Sequence, residues 1–273
     1  MSKLPVIAAI PNYNMASELT ALLPELITHG YDEIYVLDDA STDHSRDAVE
    51  AVSGVHFVAA PENMGAGATR NRIIPHLASG MLVHFLDADI EIQSDRTADR
   101  VRDIAASAGE FGFIGTLALD KDGVQSAWNY GPRQGLKTDI GANLQNYYAG
   151  LVRTDPDKAA RFRNRFSGML QAWPDLLAAP TRRETFWCIE QSLVFSSEVF
   201  KEIGGFREDL REHEIQDLAI RMSYHGLRRY FDPSIKLRHT EGDVRDYNRL
   251  RAQLKAEAKI NLDHGLTHWL RGK

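Results

Sequence analysis

A single cysteine, Cys188, stands among 273 residues. That excludes a disulfide within the chain and a zinc site built from several cysteines, and it suits a reducing compartment. Long apolar runs are also missing. The longest near the start, in MSKLPVIAAIPNYN, is five residues and then meets a proline, too short for the core of a secretory signal. The run over 81–86 falls far below the ~18 residues of a membrane span. A cytoplasmic protein is expected, with peripheral contact at the inner membrane face left open. There is no excess of positive charge: the net charge is −6 and the isoelectric point about 5.9. No nucleic-acid partner is expected, because that needs a basic stripe. Neither repeats nor low-complexity segments occur, and 43% hydrophobic with 26% charged residues is the composition of a folded domain.

What is present is an alternation. The spacing predicts strands over 6–10, 33–37, 55–59 and 81–86, separated by helices over 16–29, 43–52 and 65–78. Such order implies an α/β fold with a mostly parallel central sheet and helices on both faces. Ligands of these sheets bind at the carboxyl ends of the strands. Beyond residue 95 the pattern loosens. A strand over 113–119, an irregular stretch over 120–150, a basic helix over 157–170 and a strand over 186–195 are expected. Helices over 197–203 and 214–225, a strand over 228–231 and an amphipathic helix over 246–260 follow. Division into one domain over 1–243 (a nucleotide half, 1–95, and an acceptor and catalytic half, 96–243) and a helical extension over 244–273 is the expectation.

Polar clusters fall where the strands end. Asp87-Ala88-Asp89 follows the apolar MLVHFL. Two carboxylates so spaced can share a hard divalent cation, Mg²⁺ or Mn²⁺, which keeps water and phosphate as its other ligands; a helix cap is the plainer alternative. Asp38-Asp39 closes the second strand, where a carboxylate can accept from a nucleobase or a ribose, or begin the next helix. In NMGAGATRN, Gly65 and Gly67 allow close backbone approach before a helix carrying Arg70.

VIAAIPNYN, VLDDASTD, NMGAGATRN and VHFLDADI, in that order and spacing, resemble the opening motifs of family 2 glycosyltransferases. The resemblance implies a GT-A (Rossmann-like) fold and an inverting transfer from a nucleotide-sugar donor, a UDP-sugar by default. Pro11, Tyr13, Asp39 and Arg70 would hold the nucleoside. Asp87 and Asp89 would hold the ribose-diphosphate and metal, and Asn63, Gly65 and Ala88 would add contacts from the same motifs. VFKEIGGF and the later Glu214-Ile215-Gln216-Asp217-Leu218 with Arg221 resemble the family's catalytic helix. Ile215 departs from it, standing where a second acid is usual. Glu214 is the expected base and Asp217 the second candidate; a surface pair between Asp217 and Arg221 is the structural alternative. His239 stands where a further metal ligand is expected beside Asp89.

The middle third shows no resemblance, as a segment shaping an acceptor site would. Trp128, Tyr130, Tyr147, Tyr148, Trp173 and Trp187 are expected either to stack on sugar rings or to pack in the core. The tail carries Arg245, Arg249, Arg251, Lys255, Lys259, Arg271 and Lys273 against Asp243, Asp246, Glu257 and Asp263, a docked surface helix or one touching anionic lipid. The acceptor is a saccharide or a lipid-linked one. Two other functions remain: a sugar nucleotidyltransferase, although IPNYNMASE lacks the glycine-rich basic loop, and a non-catalytic nucleotide-sugar-binding scaffold.

Overall fold

The structure, a computed structural model, describes residues 3–240 and 249–265. Its first half alternates as expected: β1 (Val6–Asn12), α1 (Ala16–Thr28), β2 (Glu33–Asp38), α2 (Ser45–Glu50), β3 (Val55–Ala59), α3 (Ala66–Asn71) and β4 (Leu82–Leu86). Leu19, Leu22, Leu23 and Leu26 recur at helical spacing and are all buried, which is why α1 forms and where it docks. The helix expected over 65–78 is shorter. α3 stops at Asn71, and only a 3-10 turn follows at Ile74–His76. Pro75 offers no N–H and its ring would collide with the preceding turn.

The second half differs more. After β5 (Ile90–Ile92), α4 (Thr97–Ala108) and β6 (Phe113–Leu119) comes β7 (Tyr130–Gly131). Next is α5 (Leu136–Thr154), a helix of 19 residues where an irregular stretch was expected. Its glycines and asparagines disfavour a helix locally, but burial of Tyr148 and Leu151 against Ala159 overrides propensity. The Tyr148 hydroxyl donates to Asp175 at 2.7 Å. Then follow α6 (Pro156–Arg165), α7 (Ser167–Leu170) and β8 (Arg183–Glu184). The strand expected over 186–195 is split into β9 (Trp187–Cys188) and β10 (Ser192–Ser196), with residues 189–191 between them. α8 (Ser197–Glu202), α9 (Glu214–Tyr224), β11 (Arg229–His239) and α10 (Arg249–His264) complete the order. β11 runs past the end expected at 231 because a register shift between Asp232 and Lys236 accommodates Pro233.

One nine-stranded sheet runs through both halves in the order β3-β2-β1-β4-β10-β6-β11-β5, with β8 also paired to β11. It is mixed rather than mostly parallel. β3, β2, β1 and β4 are mutually parallel, whereas β10 is antiparallel to both β4 and β6. β11 returns parallel to β6 and antiparallel to β5. This arrangement sends the ends of β1, β2, β4 and β11 to one edge, together with the beginning of β10.

Helices cover both faces. Val6, Ala8 and Ile10 of β1 enter the core shared with α1 and α4; Ile7 and Ala9 enter the core shared with α8 and α9. That alternation is the period of two of a strand buried on both sides. α10 rests on the outside, its Ala256 and Ile260 against Leu210 and Ile220. Residues 241–248 and 266–273 lie outside the described residues, and with them Asp243, Arg245, Asp246, Arg271 and Lys273 of the tail. No described helix is long and apolar enough to cross a membrane.

Candidate functional site

The edge where these strands end is organised by side chains holding loops. Asn12 closes β1 and donates through Nδ2 to Asp38 at 2.8 Å and to Ser41 Oγ at 3.1 Å. Asn14 N donates to Ser41 Oγ at 2.9 Å, and Thr42 N to Asn14 Oδ1 at 2.8 Å. The turn after β1 is thereby tied to the loop after β2. Asn14 (φ 54°) and Ala40 (φ 62°) adopt left-handed backbone here, which non-glycine residues occupy when surroundings enforce it. Tyr13 lies on the rim, 47% exposed, and Pro11 is half-buried inside β1.

Asp39 is buried and accepts from Met64 N and Gly65 N, both at 2.8 Å. It therefore shapes the glycine-rich loop. Asn63 accepts from Arg211 at 3.2 Å. At Gly67 a Cβ would come within 2.8 Å of the Arg207 carbonyl, so only glycine lets α3 approach the segment before α9 this closely.

Arg70 is the centre of the charge cluster. Its guanidinium is buried, donates to Asp87 at 2.9 Å and to Glu190 at 3.0 Å, and lies 5.6 Å from the Phe206 ring centre. Burial, set against the attraction of Arg70 and reinforced by repulsion from Asp89 and Glu190, holds the Asp87 carboxyl up at about 6. Asp89 faces His239 instead, with Nε2 to Oδ2 at 2.8 Å. The strand pairing explains the meeting: His239, last residue of β11, is in register with Ile90 of β5. Thr240 clamps the junction through two 3.0 Å bonds to the Asp89 carbonyl. Ala88, between the acids, is buried.

Among the described residues no three His, Cys, Asp or Glu side chains form a metal cage. Asp89 and His239 give two adjacent donors. Such a set fits a divalent ion that fills its remaining positions with phosphate oxygens and water.

The first turn of α9 closes the cleft. Glu214 is buried beside Gly67 of α3. Burial first, and the Glu190 carboxylate second, push its carboxyl up to about 7. Asp217 is elsewhere: its side chain has no exposure, and it accepts from Arg221 at 2.8 Å and pairs with His264 of α10 at 2.9 Å. Arg221 in turn donates to the Ile203 and Gly205 carbonyls. Asp217 thus fastens α9 to the preceding loop and to α10. Ile215 buries its side chain in the core. Glu190, which no motif pointed to, belongs to the cluster. The signal in the sequence was a lone acid interrupting the apolar run FWCIEQSLVF, since a buried carboxylate needs partners. Tyr130, Tyr148, Trp173 and Trp187 are packed in cores, and Trp128 stands edge-on to Trp173. Tyr147 is exposed but leans on Phe162.

The sequence profile described as Glycosyl transferase family 2 matches residues 8–134. That segment is similar to glycosyl transferase family 2. The chain is also 28% identical over 126 residues to TuaG of Bacillus subtilis (strain 168), whose name places it among glycosyltransferases of teichuronic acid biosynthesis. The match covers 44% of this chain and half of that relative's length. Among solved structures, TarS 1–349 of S. aureus is similar with a TM-score of 0.58 at 16% identity, over 94% of this chain and 64% of that one. The same protein in complex with UDP-GlcNAc gives 0.57 at 17% identity, over 88% and 60%. GalNAc-T7 with UDP, GalNAc and Mn²⁺ gives 0.59 at 15% identity, over 87% and 44%. The fold is GT-A, a single α/β domain around a mixed, curled sheet.

Proposed function

We propose that this protein is an inverting glycosyltransferase of the hexosyltransferase kind. It would move a sugar from a nucleoside diphosphate donor to a hydroxyl of a saccharide or glycolipid acceptor. A UDP-sugar is the first donor to consider, because the similar structures hold UDP, UDP-GlcNAc, and UDP with GalNAc and Mn²⁺. The reading rests on one observation above all. Asp89 and His239 face each other at 2.8 Å at the same sheet edge as the Arg70–Asp87 pair and the first turn of α9.

Residues 1–95 would bind the nucleotide, 96–243 the acceptor, and 244–273 would extend the domain, with cytoplasmic placement and peripheral contact at the inner membrane face. Pro11, Tyr13 and Asp39 would receive the nucleoside, helped by Asn63, Gly65 and Arg70. Asp87 and Ala88 would line the ribose-diphosphate path. Asp89 and His239 would hold Mn²⁺ or Mg²⁺, and such an ion would supply positive charge to offset that of a diphosphate. Glu214 would accept the proton of the acceptor hydroxyl as that oxygen bonds to the anomeric carbon and the sugar–phosphate bond breaks on the opposite face. A carboxyl held up at about 7 suits this work at neutral pH. Asp217 would support the helix rather than take the proton.

The deciding measurement is a thermal-shift panel of nucleotide sugars with and without Mn²⁺, followed by release of the free nucleotide. A donor at 100 times its Kd stabilises by about 2.7 kcal/mol. Metal-dependent stabilisation by one donor, lost in Asp89→Ala, is the expected result. Binding without any turnover would favour the scaffold reading, and no binding by any nucleotide sugar would sink the transferase reading.

A further inference from the structure

Glu190 sits in the break between β9 and β10, and its backbone is fixed on both sides. Ile189 N donates to the Asn129 carbonyl at 3.1 Å, and Asp87 N donates to the Gln191 carbonyl at 3.1 Å. The side chain leaves the sheet and bridges two elements. Oε2 accepts from Arg70 of α3 at 3.0 Å, and Oε1 accepts from the backbone N–H of Ile215 in α9 at 2.9 Å. Its side chain keeps 21% exposure, so this is a partly open carboxylate at the cleft wall. The residue whose N–H it takes is the one that departs from the expected pair of acids.

We propose that Glu190 is the positioning residue of the transfer site: it pins the first turn of α9, and with it Glu214, against Arg70. The carboxylate that position 215 does not provide comes from the β9–β10 loop instead. This rests on the reading of Glu214 as the base.

The physical case has three parts. A carboxylate on a free N–H of the first helical turn is stabilising, because that N–H has no partner within the helix and the helix dipole favours an anion there. Both oxygens of Glu190 are engaged by good donors, one of them a guanidinium, which fixes where the carboxylate stands. The Glu214 carboxyl, by contrast, takes a hydrogen bond from its own backbone N–H. Three charged groups face it: Glu190 from the loop, Arg70 from α3 and Glu212 from the turn before its own helix. Burial first and repulsion from the Glu190 carboxylate second raise the proton affinity of Glu214, so one carboxylate places the helix turn while the other exchanges protons.

The test uses the full chain. Glutamate carboxyls are labelled with ¹³C and titrated by NMR in the ligand-free protein, with Glu214 assigned by comparison with Glu214→Gln. Glu190→Gln keeps an acceptor for Ile215 N–H and removes the charge; Glu190→Ala removes both. The Glu214 midpoint is expected to fall by about one pH unit in Glu190→Gln. In parallel, donor hydrolysis by Glu190→Gln is expected to keep its KM within about threefold while kcat falls by roughly 10–100-fold. Glu190→Ala should lower kcat further. An unchanged Glu214 midpoint together with unchanged kcat in both variants would overturn the role of Glu190, whatever the reaction. Full turnover in Glu214→Gln would overturn the base reading, whatever Glu190 does.

Discussion

Replacing Arg70 by methionine tests whether the cleft is held together by charge. Methionine preserves most of the apolar stem but leaves Asp87 and Glu190 without the guanidinium that reaches them at 2.9 and 3.0 Å. The Arg70 side chain is only 4% exposed, while Asp87 and Glu190 keep 27% and 21% exposure, so water replaces the guanidinium only in part. Removing one partner of a buried ionic cluster costs about 3–5 kcal/mol. For a chain of this size that lowers Tm by on the order of 10 °C. The loss must also depend on pH, in a definite direction. Burial already raises Asp87 to about 6 despite Arg70, and without Arg70 it rises further. A carboxyl whose folded value exceeds its unfolded value favours the fold at low pH, where it is protonated, and loses that contribution as pH rises through the folded value. Each further unit of rise is worth about 1.4 kcal/mol. The Tm gap between wild type and Arg70→Met, measured by differential scanning fluorimetry in metal-free buffer, should therefore be small near pH 5 and widen towards pH 8. A gap that is constant, or narrower at pH 8, refutes charge pairing as what Arg70 contributes.

Asp217→Asn should cost about 3 kcal/mol in urea denaturation, because it breaks the buried contacts to Arg221 and His264. Turnover at 15 °C should stay within roughly fivefold, and a loss of 10²-fold in a folded variant would make Asp217 the base instead. The rate should rise with pH through about 7, since Glu214 must be deprotonated to accept a proton; a flat profile between pH 5.5 and 8.5 would count against it. His84 is buried between the Tyr31 hydroxyl and Ser192 Oγ, each at 2.7 Å, and burial pushes it down to about 3. Its contribution to stability is complete above pH 6.5 and is lost as pH falls towards 3. His84→Gln should flatten the acid side of the Tm profile, and an unchanged slope would show that His84 is not the group responsible.

The nucleotide half was legible because its information is local. Each strand is a short apolar run, each strand end carries its own polar signal, and the helix over 16–29 declares itself by leucine spacing. Legibility failed where long-range packing decides. α5 forms against its own composition because Tyr148 and Leu151 find a buried place, and nothing near them in sequence says so. The antiparallel insertion of β10 between β4 and β6 turned an expected mostly parallel sheet into a mixed one. That same insertion brings the start of β10, and so Glu190, to the edge where parallel strands end. Asp217 and Glu214 look equivalent as letters three apart. Packing distinguishes them: Asp217 is bonded to Arg221 and covered by His264 of α10.

Ile215 gives the strongest reason to doubt catalysis from sequence alone, and the helix geometry answers it. Successive residues of an α-helix point about 100° apart, so Glu214 and Ile215 cannot both face the cleft. Ile215 is 3% exposed and shares its core with Phe206, Leu218 and Met222. Glu214 lies over Gly67, with its Cγ 3.4 Å from where a Cβ would stand there. An aspartate at 215 would place a carboxylate among aromatic and aliphatic side chains, with the backbone N–H of position 215 itself already taken by Glu190. Ile215→Asp is therefore expected to destabilise by about 3 kcal/mol or more at pH 8 and less at pH 5, where the buried acid is neutral. It should not raise turnover. Thermal unfolding at the two pH values and donor hydrolysis measure both effects. A stable Ile215→Asp variant with faster turnover would mean that α9 can rotate to present position 215, and that the division of labour between Glu214 and Glu190 is wrong.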